Sequence, residues 1–144
     1  MHTASVHRLT VDDFEVARQL AIELSGASEV SAAGLLELLG DGRSIVLAAR
    51  SGNEPIGYLV AHCFASLDGA QLAYLYDIEV KPAVRRKGVA KRLVRELLTI
   101  CKQRGVQSIW VGSSITNVAA CELWRTTGAR RDGDRYVEFT YDLE

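Results

Sequence analysis

One stretch constrains this chain more than any other: Tyr74 to Val94, YLYDIEVKPAVRRKGVAKRLV. Gln71 to Val80 has the β-branched and aromatic content of a strand. It runs into a basic loop, Lys81 to Lys87, and Gly88 then opens a helix. In that helix Ala90, Leu93, Val94, Leu97, Leu98 and Cys101 recur at i, i+3, i+4 spacing, an apolar stripe about four turns long. Gly105 stops the helix, and Val106 to Val111 reads as another strand. A strand–loop–helix–strand unit of this kind places the chain in the α/β class.

The flanking segments fit that class. Ser5 to Leu9 alternates as a short strand, and Thr10 caps a helix with Asp12 and Asp13 in its first turn, where the helix dipole favours them. Phe14, Ala17, Leu20, Ala21 and Leu24 recur at helical spacing up to Ser25-Gly26. A second helix is expected from Ser31 to Leu39, closed by Gly40 and Gly42. Ser44 to Arg50 and Pro55 to Phe64 read as strands joined by a hairpin turn, SGNE. Asn117 caps a helix to about Thr126 that Gly128 stops, and Arg135 to Leu143 reads as a last strand. No repeat or Pro/Ser-rich linker interrupts the chain, so residues 1–144 are expected to form one domain.

Composition excludes several classes. The 17 basic and 18 acidic residues leave a net charge of −1, so net charge gives no reason to expect a nucleic-acid partner. The basic cluster has no second helix at helix-turn-helix spacing and no interleaved aromatics, which argues further against nucleic acid. No apolar run approaches ~18 residues, and MHTASVHRLT has no apolar core of a signal peptide, so neither membrane insertion nor export is expected. Cys63, Cys101 and Cys121 are scattered and read as reduced, mostly buried thiols of a cytoplasmic protein. No His/Cys/Asp set has metal-ligand spacing, so no metal is expected.

The chemistry therefore concentrates on the basic loop. Lys81, Arg85, Arg86, Lys87, Lys91 and Arg92 fall within twelve positions with no acid between them. The N–H groups at a helix start lack intrahelical acceptors and sit at the positive end of the dipole, which makes an anion site. Gly88 and Ala90 leave room for a phosphate to approach the backbone, and the pattern suits a diphosphate with a further phosphate nearby. GxxxxGK[ST] and GxGxxG are both absent, so neither a Walker A loop nor a dinucleotide fingerprint is present.

Arg85-Arg86-Lys87-Gly88-Val89-Ala90 resembles the R/Q-x-x-G-x-G/A signature of the GNAT N-acetyltransferases. Asn117-x-x-Ala120-x-x-Leu123-Trp124-x-x-x-Gly128 is similar to that family's second motif, N-x-x-A-x-x-L-Y-x-x-x-G. More narrowly, Tyr74 to Ile78, the RRKGVA loop and Tyr141-Asp142-Leu143 resemble the aminoglycoside 3-N-acetyltransferase type I group, a class linked to antibiotic resistance. The resemblance implies a GNAT fold, a mixed central sheet of about six strands with about four flanking helices. It implies acetyl-CoA as cofactor, a small-molecule amine as acceptor and a homodimer. By the same resemblance the backbone of Ile78 and Val80 pairs with the pantetheine arm. Arg85, Arg86, Lys87, Gly88, Val89, Ala90 and Lys91 hold the pyrophosphate, and Asn117 and Trp124 contact the cofactor. Asn117 reads equally well as a plain helix cap, and Trp124 as plain core.

Acetyl transfer needs an unprotonated amine, a donor for the carbonyl oxygen and a thiolate that can leave. Strict alternation puts Leu75, Asp77 and Glu79 on one face of the strand, and Tyr74, Tyr76, Ile78 and Val80 on the other. Carboxylates two positions apart lie ~7 Å from each other, close enough to share a water or straddle a cationic amine. Asp77 and Glu79 are thus candidates for catalysis and substrate binding, and Glu138 and Asp142 are further candidates for the acceptor pocket. His62 is a weaker candidate base. The tyrosine thought to protonate the leaving sulfur in many relatives is Trp124 here, and an indole cannot give up its N–H proton. Either the thiolate leaves unaided, or a hydroxyl of Tyr76, Tyr136 or Tyr141 substitutes, or turnover is low. An acetyltransferase that works by direct attack and a coenzyme-A-binding protein with little turnover both fit these residues.

Overall fold

A computed structural model describes residues 4–133 and 137–143. It divides into two compact units, Met1–Gly112 and Ser113–Glu144. In the first, five strands order as β1(Ser5–Arg8), β2(Ser44–Ser51), β3(Glu54–Ala65), β4(Gln71–Val80) and β5(Ser108–Trp110). β1 to β4 pair antiparallel, and β5 joins β4 in parallel after the helical crossover α3(Val89–Gln103). β2 is an interior strand, paired on both sides, and Ser44 to Ala49 are all buried, as a strand covered on both faces requires.

The two faces carry different helices. Thr10 and Asp13 form a capping box that opens a 3₁₀ turn, Val11–Asp13, leading into α1(Phe14–Leu24). Ser31 caps α2(Ala32–Gly40) by accepting the Gly34 N–H. Ala17, Leu20 and Leu39 of these helices pack with Val46, Ala48, Tyr58 and Val60 on one face of the sheet. On the other face α3 buries Val89, Leu93, Val94, Leu97 and Cys101. Gly57 lies in close contact there. A Cβ on it would stand 3.1 Å from the Glu79 carbonyl, 3.2 Å from Val80 and 3.5 Å from Leu93. Full burial of Leu93 and Leu97 makes either Leu→Ala change worth about 2–5 kcal/mol of stability.

The second unit holds α4(Val118–Thr126), capped by the Asn117 side chain accepting the Ala120 N–H at 3.1 Å. Gly128, at φ +97°, ends it. α4 has no fully buried residue, and Trp124 is half-buried rather than core.

Three expectations need correction. The sheet has five strands among the described residues, close to the expected number of about six, and the expected last strand is the one that differs. Arg135 and Tyr136 of the expected last strand lie outside the described residues, and 137–143 form no strand. Their alternation is a property of the sequence, whereas a strand exists only where a neighbour's ladder takes its N–H and C=O groups. β5 is Ser108–Trp110 rather than Val106–Val111, because its pairing with β4 stops at Tyr74. The cysteines differ in burial: Cys101 is buried, Cys63 half-buried and Cys121 exposed. Among the described residues no helix is long and apolar enough to cross a membrane.

Candidate active site

β4 positions the site, and a break in its regularity decides how. Ala61 on β3 faces Leu75, yet its neighbour Val60 faces Asp77, so Tyr76 is an extra residue, a β-bulge. Ala61 and Val60 point to opposite faces, and their partners do the same. Leu75 therefore turns to the α3 face, while Asp77 and Glu79 turn to the α1–α2 face. Strict alternation had grouped Leu75 with the two acids; the bulge reverses it. Tyr74 and Tyr76 are 39 % and 67 % exposed, and Leu75 is buried.

The bulge coincides with a parting of the sheet. β4 pairs with β5 only at Leu72, Ala73 and Tyr74, so from Leu75 onward no strand covers that edge among the described residues. The Lys81 N–H donates to the Ile56 carbonyl at 2.8 Å. Ladder bonds alternate along an antiparallel pair, so Asp77 and Glu79 bond toward β3 while the backbone groups of Ile78 and Val80 point to the open edge. Arg85 closes part of that edge, donating from Nε to the Val80 carbonyl at 3.3 Å. An extended chain can add there as a further strand.

Beyond β4 the chain makes a 3₁₀ turn, Pro82–Val84, and enters the basic loop. Arg86 adopts φ +65°, a left-handed conformation unusual for a side-chain-bearing residue, and Gly88 adopts φ +81° as the residue before α3. Among the described residues the N–H groups of Arg86 to Lys91 meet no backbone carbonyl in hydrogen-bonding geometry. No acid occupies the first turn of α3, and the Gly88 Cα faces open space. Alternating backbone handedness that turns successive N–H groups outward forms an anion nest. These donors, their polarity and the open approach suit a diphosphate anion. Arg92 stands apart, its guanidinium donating to the Ala4 carbonyl.

On the α1–α2 face the acids acquire a partner absent from the sequence reading. Tyr58 is 6 % exposed and lies opposite Glu79. Its hydroxyl donates to Asp77 Oδ2 at 2.5 Å. Burial, then the hydrogen bond to Asp77 and the charges of Asp77 and Glu79, push the phenol well above the usual tyrosine range, so it stays a donor at every working pH. The one signal for it was a tyrosine amid the apolar run of β3, which implies a partner for its hydroxyl. Lys81 links the end of α1 to the β2–β3 hairpin, its ammonium 3.1 Å from both Glu23 and Glu54. Those contacts raise its pKa above the usual lysine value.

In the second unit the Trp124 N–H donates to Ser113 Oγ at 2.7 Å, which commits its single donor. Asn117 Oδ1 serves as the helix cap. Glu138 and Asp142 are exposed on 137–143, as is Tyr141, and Tyr136 lies outside the described residues. Among the described residues no cluster of three or more His, Cys, Asp or Glu is placed to hold a metal ion.

Comparison with known proteins agrees with this geometry. Residues 4–129 match the acetyltransferase (GNAT) family. The [ribosomal protein bS18]-alanine N-acetyltransferase of Escherichia coli is 32 % identical over 56 residues, covering 39 % of this chain and 38 % of that protein. The matched segments span only 20 to 38 % of the length of such curated relatives. An aminoglycoside acetyltransferase from an uncultured soil metagenomic sample, solved with sisomicin, superposes with a TM-score of 0.84 at 22 % identity, covering 98 % of this chain and 97 % of that one. The aminoglycoside N-acetyltransferase AAC(6')-Iy, solved with CoA, gives 0.81 at 18 % identity, covering 98 % and 96 %. At these identities the structures speak for the fold. The family match spans most of the sequence and includes the RRKGVA loop, and on that ground the chain belongs to the GNAT family, the acetyl-CoA-dependent N-acetyltransferases.

Proposed function

We propose that residues 1–144 act as one N-acetyltransferase domain that moves the acetyl group of acetyl-CoA to a primary amine of a polycationic small molecule, an aminoglycoside or similar polyamine. The observation that carries the reading is the combination on one strand of an open backbone edge, an anion nest at its end and two carboxylates on one face. Acetyl-CoA supplies the activated acyl group. The residues of this chain bind and orient it, through Ile78 and Val80 along the arm and Arg85 to Lys91 at the diphosphate. A backbone N–H near Val80 meets the carbonyl oxygen as it gains charge. Asp77, fixed by Tyr58, and Glu79 attract the cationic amine; Glu138 and Asp142 add acidic charge in the second unit. The amine attacks directly, without an acyl-enzyme. Trp124 supplies no proton, and in this reading the exposed Tyr76 hydroxyl on β4 takes that role.

The sequence resemblance favours the 3-amino group of an aminoglycoside, whereas solved proteins of the same fold include AAC(6')-Iy. In this reading the chain is a cytoplasmic homodimer. A second reading, a coenzyme-A-binding protein with little turnover, draws on the committed Trp124 N–H. Acetyl-CoA raises the melting temperature in both. Only the enzyme releases free thiol when aminoglycosides, polyamines, amino acids and peptides are added in turn. Absence of thiol release across that panel, with binding intact, rejects the enzymatic reading. Mass and NMR analysis of any acetylated product assigns the position.

A further inference from the structure

A second polar network lies on the same sheet face as the acids and is used by nothing above. His62 on β3 sits opposite Ser44 on β2 and Tyr74 on β4. Ser44 is buried, with Oγ 2.8 Å from Asp41 Oδ2 and 3.1 Å from His62 Nδ1. A hydroxyl has one proton to give. Asp41, which also accepts the Arg43 N–H at 3.0 Å, is held below the usual carboxylate range by that N–H and by Ser44, so it only accepts. Ser44 therefore donates to Asp41 and accepts from His62. The network assigns the hydrogen to Nδ1 and leaves the Nε2 lone pair free, the reverse of the tautomer that predominates in a free histidine side chain.

His62 is half-buried, and its ring lies 6.0 Å from that of Tyr76 at 59°, centroid to centroid. Tyr76 is the bulged, exposed residue beside Asp77. His62, Val60 and Tyr58 follow one another at two-residue spacing on one face, so the imidazole stands about 7 Å along the strand from the position opposite Asp77. Among the described residues, the charged and titratable groups that the contacts place around it are Asp41 and Arg43 from the turn after α2, and Tyr74 and Tyr76 from β4.

We propose that His62 takes, at Nε2, the proton that the acceptor ammonium must lose before it attacks, with Ser44 and Asp41 as positioning residues that hold its tautomer. The proposal rests on the acetyltransferase reading above. The proton passes from R–NH3+ to Nε2, leaving R–NH2 and an imidazolium whose charge Asp41 balances through Ser44. The amine forms the new C–N bond as the thioester C–S bond breaks. The amide nitrogen then sheds one proton, the thiolate gains one, and the imidazolium returns its own to solvent.

The test combines two readouts on the full chain. In long-range 1H–15N spectra of the wild type, His62 shows the Nδ1–H form, and Ser44→Ala moves it toward Nε2–H. A wild-type Nε2–H signal overturns the network. In thiol-release assays with an acceptor the wild type turns over, His62→Gln lowers kcat about 100-fold, at the low end of what general-base catalysis contributes, and flattens the acidic limb of the kcat/KM–pH profile. His62→Ala recovers activity with added imidazole. The acetyl-CoA melting shift, retained in each variant, certifies folding. If the wild type turns over and His62→Gln matches it in rate and pH profile, the proposal fails while the function stands. If the wild type binds acetyl-CoA yet releases thiol with no amine, the function fails and takes this role with it.

Discussion

Removing one oxygen, by Tyr58→Phe, probes how the acids are held. The hydroxyl is buried, and its 2.5 Å bond to Asp77 is to a charged acceptor, a class worth about 1.5–3 kcal/mol. Asp77 is only half-buried, so water recovers part of the loss and about 1.5 kcal/mol is expected. A chain of 144 residues unfolds with an entropy of about 0.3 kcal/mol/K, which makes this a fall of about 5 °C in Tm. The pH dependence is more specific. Folding raises the Tyr58 pKa, so its contribution is fully present below the unfolded tyrosine value, about 10, and declines above it as the unfolded chain loses its proton first. The slope of that decline is up to about 1.4 kcal/mol per pH unit. Urea denaturation of both proteins from pH 7 to 11 measures it. The stability gap is flat to about pH 10 and then narrows, while acetyl-CoA affinity at pH 7 is unchanged and kcat falls. A gap that stays constant through pH 11 refutes the coupling between Tyr58 and the acids.

Other expected outcomes are simpler. Asp77→Asn keeps the Tyr58 partner and most of the stability but removes the charge that attracts the amine, so KM for a polycationic acceptor rises while acetyl-CoA binding is retained; an unchanged KM and kcat removes Asp77 from the site. Trp124→Tyr restores a hydroxyl at the position where many relatives carry one, and raises turnover about tenfold if thiolate departure limits the rate; no change places the limit elsewhere. Cys101 is 1 % exposed, and burial first, then Cys63, push its thiol up to about 11. Its contribution to stability is therefore lost between the ordinary thiol value and about pH 11, and in the native protein it reacts with thiol reagents far more slowly than the exposed Cys121, as labelling followed by mass spectrometry measures.

Local chemistry carried much of this protein into view. The stripe from Ala90 to Cys101 fixes α3, Gly88 marks its start, and Thr10, Ser31 and Asn117 cap their helices as such residues do. What stayed hidden depends on neighbours distant in sequence. Nothing in YLYDIEV marks Tyr76 as the extra residue; the bulge arises from how β4 registers against β3, and it reverses the partners of Asp77. Tyr58 and Asp77 are 19 positions apart, and Ser44 and His62 are 18 apart, each pair joined by strand register alone. The parting of β4 and β5 has no local signature either, because β5 ends where its pairing with β4 stops, at Tyr74, although β4 itself runs on to Val80.

The central claim is that bare main-chain amides before and at the start of α3 hold the diphosphate of acetyl-CoA, and Gly88 tests it. A Cβ at Gly88 would meet nothing within 4 Å, so Gly88→Ala costs only the left-handed backbone strain, about 1–2 kcal/mol. Gly88→Asp adds a negative charge against the diphosphate, about 4 kcal/mol for one charge pair at 4 Å and an effective dielectric of 20. Isothermal titration of acetyl-CoA into the three proteins is predicted to give 1:1 binding to the wild type, binding weakened about tenfold by alanine, and none detectable with aspartate. Binding by the aspartate variant as tight as by the wild type, or no binding by the wild type, contradicts the account.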